Sequence, residues 1–200
     1  MKTKTFILLF LLTSLLSSCQ NKNSIKSDTK TECKIFYKKY NQKIISEEND
    51  SAIYYIDKAI NCNSQNVNYK YYKVQFLVSL KKYKEAIVGL NEIKTDVIDP
   101  AIKMENGILK LKINDPSSEK ILKECLNDYN LISKPTSSNL FYKIALENYF
   151  NGKDKAMIEI QKYKNIYNEP YETQNINALI QSIQKDEKKK VLFDLFSIKD

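Results

Sequence analysis

Residues 80–87 read Leu80-Lys81-Lys82-Tyr83-Lys84-Glu85-Ala86-Ile87. Tyr83, Ala86, Ile87, Leu90 and Ile93 recur at the i, i+3, i+4, i+7 spacing of one helix face. The same spacing collects Ala52, Ile53, Ile56, Ala59 and Ile60 upstream. Downstream it collects Ile121, Leu122, Cys125, Leu126 and Tyr129, then Ala156, Met157, Ile160, Tyr163 and Tyr167. These faces repeat at a steady interval. Ala52 and Ala86 are 34 residues apart, Lys120 lies 34 further on, and Ala156 another 36. Pro100, Pro135 and Pro170 are spaced by 35. In a chain with helical periodicity almost throughout, a period of 34–36 residues predicts stacked helix–turn–helix units.

Leu80 to Ile87 resembles the turn and second-helix start of a tetratricopeptide repeat. Ala52 to Ile60 resembles the second helix, and Phe150-Asn151-Gly152-Lys153-Asp154-Lys155-Ala156-Met157 resembles a later copy of the turn. Lys81 stands where that family usually has glycine, Val74 where it has a small residue, and the unit around Lys120 lacks the alanine. The expected fold is all-α: a helix–turn–helix solenoid of about four tetratricopeptide-like hairpins plus a C-terminal capping helix. The hairpins are expected at 31–62, 67–94, 100–132 and 136–167, with the last helix starting near Pro170 and extending to Phe196. Asp99-Pro100 and Asp115-Pro116 each place a capping acid before a proline at a first helical position. Residues 102–113 also alternate around Asn106-Gly107, so a β-hairpin competes with helix there.

The N-terminus reads as a processing signal. Lys2 and Lys4 precede the apolar run Phe6–Leu16, and Leu16-Ser17-Ser18-Cys19 follows. Those four residues resemble the bacterial lipobox, which implies removal of 1–18 and acylation of Cys19. Polar residues 19–30 are expected to be a flexible tether, and 31–200 one folded domain. Of the remaining cysteines, Cys33 and Cys62 lie about equally far from a turn near Glu47-Glu48, which predicts a disulfide at the open end of the first hairpin. Cys125 reads as core. Asp50-Ser51-Ala52 resembles an O-glycosylation acceptor pattern of some envelope proteins, and Ser51 equally suits a helix N-cap.

The composition excludes several chemistries. Lys and Arg total 32, all of them lysine, and histidine is absent. Histidine-based triads, dyads and zinc sites are therefore impossible, as is bidentate arginine recognition. The chain has only three glycines, too few for a phosphate-cradling loop. Lys38-Lys39, Lys81-Lys82-Lys84 and Lys188-Lys189-Lys190 read chiefly as solvated faces, and no nucleic-acid partner, metal or cofactor is expected. The carboxylates Glu47, Glu48 and Asp50 suit capping rather than acid–base work.

In tetratricopeptide proteins the first helix of each hairpin lines a concave face. Counting back 15 residues from each second helix selects Tyr37, Tyr71, Glu105 and Phe141. Tyr142, Gln75 and Tyr149 join them as partner-binding candidates. Val191, Leu192, Leu195 and Phe196 form an apolar C-terminal cluster that either caps the last repeat or docks a partner. The expected function is a non-catalytic, membrane-anchored scaffold for a protein or peptide in the bacterial cell envelope, at the outer membrane in preference to the cytoplasmic membrane. A small-ligand or glycan-binding lipoprotein serving a transporter is the alternative. A lysine-mediated adaptor to peptidoglycan or anionic lipid is a third.

Overall fold

The computed structural model describes residues 24–93 and 100–199, with side chains from Thr31 onward. The signal segment, Cys19 and Asp99 lie outside those residues. Among the described residues there are ten helices and no strand. They are α1 (Ser24–Ile45), α2 (Asn49–Cys62), α3 (Val67–Ser79), α4 (Tyr83–Asn91) and α5 (Pro100–Lys112), followed by α6 (Ser118–Leu131), α7 (Ser137–Asn151), α8 (Lys153–Ile166), α9 (Pro170–Lys185) and α10 (Lys188–Leu195). The chain divides into two compact units after Tyr69, inside α3.

In the first unit, α1 and α2 form a hairpin. Ala52, Ile56 and Ala59 of α2 are fully buried, with Cys33 and Tyr40 of α1 among the other buried residues. Cys33 and Cys62 are bonded at the open end, with Cα atoms 5.4 Å apart. Closing this loop removes unfolded-chain entropy equivalent to roughly 3–4 kcal/mol in the chain-entropy model. At the other end Lys43 Nζ reaches Glu48 at 2.6 Å, and Ser46 donates to the same carboxylate at 2.9 Å. Two boundaries differ from the sequence expectation. α1 begins at Ser24, inside the stretch assigned to the tether. The N-cap of α2 is Glu48, so Ser51 is not the cap. Its hydroxyl lies 3.4 Å from Glu48 inside the first turn.

The second unit stacks the later hairpins. α4 packs on α5, α6 on α7, and α8 on α9. At two places a glycine faces a large side chain with no room for a Cβ. A Cβ on Gly89 would lie 2.9 Å from Val74, and one on Gly107 would lie 2.8 Å from Leu122. The two hairpins thus trade places: the small residue sits on the second helix in one and on the first helix in the other. This explains how Val74 is accommodated and why the unit around Lys120 manages without alanine. It also settles Asn106-Gly107, where no β-hairpin forms. Gly107 is an interior helix residue, and Met104, Ile108 and Leu111 form the buried stripe beside it. Lys103 joins α5 to α6 through Glu124 at 3.2 Å and Asp128 at 3.0 Å. Lys143 joins α7 to α8 through Glu159 at 2.9 Å.

Three hairpin turns share one backbone solution. Glu47, Lys81 and Asn114 have φ of 58°, 58° and 57°. After each of them an N–H reaches back five residues: Glu48 to Lys43, Lys82 to Leu77 and Asp115 to Lys110, each at 2.9 Å. The residue in each left-handed position donates to a carbonyl three back. This is the Schellman arrangement, which satisfies the last helical carbonyls. The fourth turn uses Gly152 at φ 89°. α6 starts at Ser118, two residues after Pro116, because Asp115 accepts from the Ser117 N–H at 2.8 Å and its hydroxyl at 2.6 Å. α7 carries a full capping box between Thr136 and Asn139, whereas Pro170 opens α9 as its first residue.

The last helix is not continuous. It stops at Lys185, and Asp186 and Glu187 are extended, with ψ of 159° and 148°. A continuous helix would carry Glu187 and Lys190 on the face of Ile176, Leu179 and Ile183, all buried. Breaking the helix instead delivers Val191 and Leu192 to the interior, 1% and 0% exposed.

The left-handed Lys81 costs about 1–2 kcal/mol relative to an unstrained position, and glycine avoids most of that. Lys81→Gly is therefore expected to raise stability by about 1 kcal/mol, less the extra entropy of glycine in the unfolded chain. Urea unfolding checks this, and an unchanged or lower midpoint contradicts the turn assignment.

Candidate functional site

Three residues expected on the first helices meet in one place. Tyr71 Oη of α3 donates to Glu105 Oε2 of α5 at 3.0 Å, and Gln75 Nε2 donates to Oε1 at 2.7 Å. Tyr71 and Glu105 are one repeat apart, 34 residues. Glu105 is 0% exposed. Its burial raises the carboxyl pKa, and the two hydrogen bonds, which lower it, only partly offset that. Both oxygens are turned to α3, so this is a polar clasp between successive hairpins. It holds helices together, and the Glu105 carboxylate itself offers no surface to a ligand.

The other candidates scatter. Tyr37 is half-buried in the first unit, stacked on Tyr69 at 5.2 Å and tilted against Tyr40 at 5.8 Å. Tyr149 of α7 lies edge-on to Phe150 at 4.9 Å, and its hydroxyl is 3.4 Å from Glu119 of α6. The three lysine runs are all exposed, and Lys39 lies 5.3 Å above the Tyr55 ring. Among the described residues no helix is long and apolar enough to cross a membrane.

Phe141 and Tyr142 belong to an open cleft of about 270 Å³. The start of α7 supplies Ser137 and Ser138 as well, α8 supplies Tyr163, and Leu195 of α10 closes one edge. Tyr171, Glu172 and Asn175 come from the first turns of α9. Tyr163 and Glu172 are hydrogen-bonded, with the phenol donating. Burial first, then the neighbouring carboxylate, holds the Tyr163 hydroxyl well above its ordinary pKa. The frame below is a continuous core of Leu140, Ile144, Ile160, Ile176 and Leu179. Counting back from the second helices could find only first-helix residues. Tyr163 was visible as part of an apolar face, but Tyr171, Glu172 and Asn175 carry no periodic signal. Pro170 marked where their helix starts, which was the one available clue.

The C-terminal cluster is divided in role. Val191 and Leu192 are interior, Leu195 edges the cleft, and Phe196 stacks on Tyr142 at 5.6 Å and 16°. Beyond it Ile198 is buried, and the Lys199 carbonyl accepts from Tyr83 Oη at 2.7 Å. Lys112 Nζ sits 5.0 Å above the Phe193 ring. Residues 188–199 thus lie over α7, α9 and α5 and act as a cap from inside the fold. Leu192→Ala is expected to cost about 2–5 kcal/mol in urea unfolding; a cost under about 0.5 kcal/mol, the range of ordinary surface changes, contradicts the cap.

The clasp has a pH signature. A carboxyl whose folded pKa is raised contributes stability that is complete below its unfolded value and is lost as pH rises through the folded value. Glu105 therefore disfavours folding progressively above the ordinary value of 4.5. Glu105→Gln should gain stability relative to the parent between pH 4 and 8. Paired urea melts across that range test it, and a constant difference sinks the idea.

No family model matches the chain, and no curated protein does. Among solved structures the chain is similar to the crystal structure of MamA protein, with 15% identity and a TM-score of 0.47 over 81% of this chain and 90% of that one. At that identity and score the similarity assigns neither family nor function.

Proposed function

We propose that this chain is a non-catalytic scaffold that holds a protein or peptide segment, tethered to the bacterial cell envelope through an acylated Cys19, with the outer membrane favoured. The observation that carries the reading is the open cleft of α7, α8 and α9. It combines aromatic walls with a few polar groups on a packed helical frame, which is how partner anchors are received. Its volume of about 270 Å³ falls just below the usual range for small-molecule sites, roughly 300–1,000 Å³, and suits one or two side chains. The absence of histidine agrees with a binding role. Asn175, Ser137 and the tyrosines also suit a glycan, which keeps glycan delivery to a transporter as the second reading.

Site-specific photocrosslinking in native membranes tests this. A benzoylphenylalanine in place of Tyr171, beside the cleft, is expected to give a protease-sensitive adduct. The same probe in place of Tyr54, 55% exposed on α2, is expected to give none. Cys19→Ala should remove both membrane sedimentation and the adduct. Absence of any protein adduct at position 171 overturns the reading.

A further inference from the structure

The lining of the cleft is electrically unlike the rest of the chain. The protein carries 32 lysines, yet none borders the cleft, and Glu172 is its sole charged group. Glu172 comes with four aromatic residues, Phe141, Tyr142, Tyr163 and Tyr171. Aromatic faces attract a cation, and a carboxylate beside them reinforces that attraction. An anion finds no cationic side chain there. At the start of α7 the amides of Asn139 and of the N-cap Thr136 are already engaged. Thr136 accepts from the Asn139 N–H, and Asn139 accepts from the Thr136 N–H. A purely apolar group would strip water from the carboxylate without replacing its hydrogen bonds.

The geometry also distinguishes between cations. The Tyr163 hydroxyl occupies Glu172 Oε2 and is itself held against Ser137. Oε1 makes no hydrogen bond among the described residues. One open oxygen matches a point charge such as an ammonium, whereas a guanidinium gains its advantage from binding both oxygens at once. We propose that the α7–α9 cleft receives a lysine side chain of a partner segment, its ammonium on Glu172 Oε1 and its alkyl stem between the aromatic rings. This deepens the scaffold reading and rests on it for the source of the lysine, but not for the chemistry of the cleft.

The test is nuclear magnetic resonance titration of the full chain in detergent. The probe is the peptide acetyl-Gly-Ser-Lys-Ser-Gly-amide, compared with its Nε-acetyl-lysine and arginine forms. The lysine peptide is expected to shift the backbone amides of Tyr171, Glu172 and Asn175. Acetylation should weaken binding at least tenfold, and arginine should bind more weakly than lysine. Glu172→Gln keeps an oxygen for Tyr163 and should weaken the lysine peptide at least tenfold. Tyr171→Ala removes a ring that is 71% exposed and should weaken it severalfold with an unchanged melting temperature. Equal affinity for the acetylated peptide, a preference for arginine, or unchanged affinity in both variants overturns the proposal. An adduct at position 171 without lysine-peptide binding ends this proposal and leaves the scaffold reading standing. Lysine-peptide binding without any adduct does the reverse.

Discussion

Every hairpin in this chain must reverse direction within a few residues and leave no buried helical carbonyl unsatisfied. That requirement shapes the rest of the structure. A left-handed residue followed by a donor reaching five residues back meets it at Glu47, Lys81 and Asn114. Because the solution is a backbone one, it tolerates a lysine, a glutamate or an asparagine where a glycine is easier. The same device recurs at Ser197, with φ 53° and the Ile198 N–H bonded to Phe193. There it turns the chain after α10, and Ile198 is buried just beyond. The helix pairs then find their spacing through single small residues, Gly89 and Gly107. These sit on opposite helices of their hairpins.

The helices were largely legible because amphipathic periodicity and prolines report local geometry directly. The segment 102–113 shows the limit. Alternation and an Asn-Gly pair imitate a hairpin, and only packing against Leu122 reveals why glycine is there. The break at Asp186 was hidden for a related reason. Nothing in the charged run before it marks a helix end, and the cause is tertiary: the interior accepts Val191 and Leu192 but not Glu187 and Lys190. Among the site residues, Tyr71, Gln75 and Glu105 were selected together by the repeat, yet as a surface. Their convergence on one buried carboxyl depends on how closely α3 and α5 approach, which spacing alone does not contain. The cleft was legible only at Phe141, Tyr142 and Leu195, because its other wall begins a helix outside the repeat.

Two glutamates of the second unit stand in contrast. Glu105 is sealed and fully bonded, so it joins helices and specifies which hairpin neighbours which. Glu172 is half-buried and has one oxygen open to the cleft. The same carboxylate chemistry is thus sealed between helices in one place and left open to a cleft in the other, where the proposed recognition rests on it.

The hydrogen bond from Tyr83 to the Lys199 carbonyl spans 116 residues. The hairpins close over short separations, so their contacts form early and cheaply in loop entropy, whereas this closure grows with the logarithm of a long loop. The contact that brings the C-terminus to α4 is therefore the one with the greatest closure cost among the described residues of the second unit. The neighbours of α10 in space, α7 and α9, are much nearer in sequence, so α10 joins the local end of the chain to the distant start of the unit.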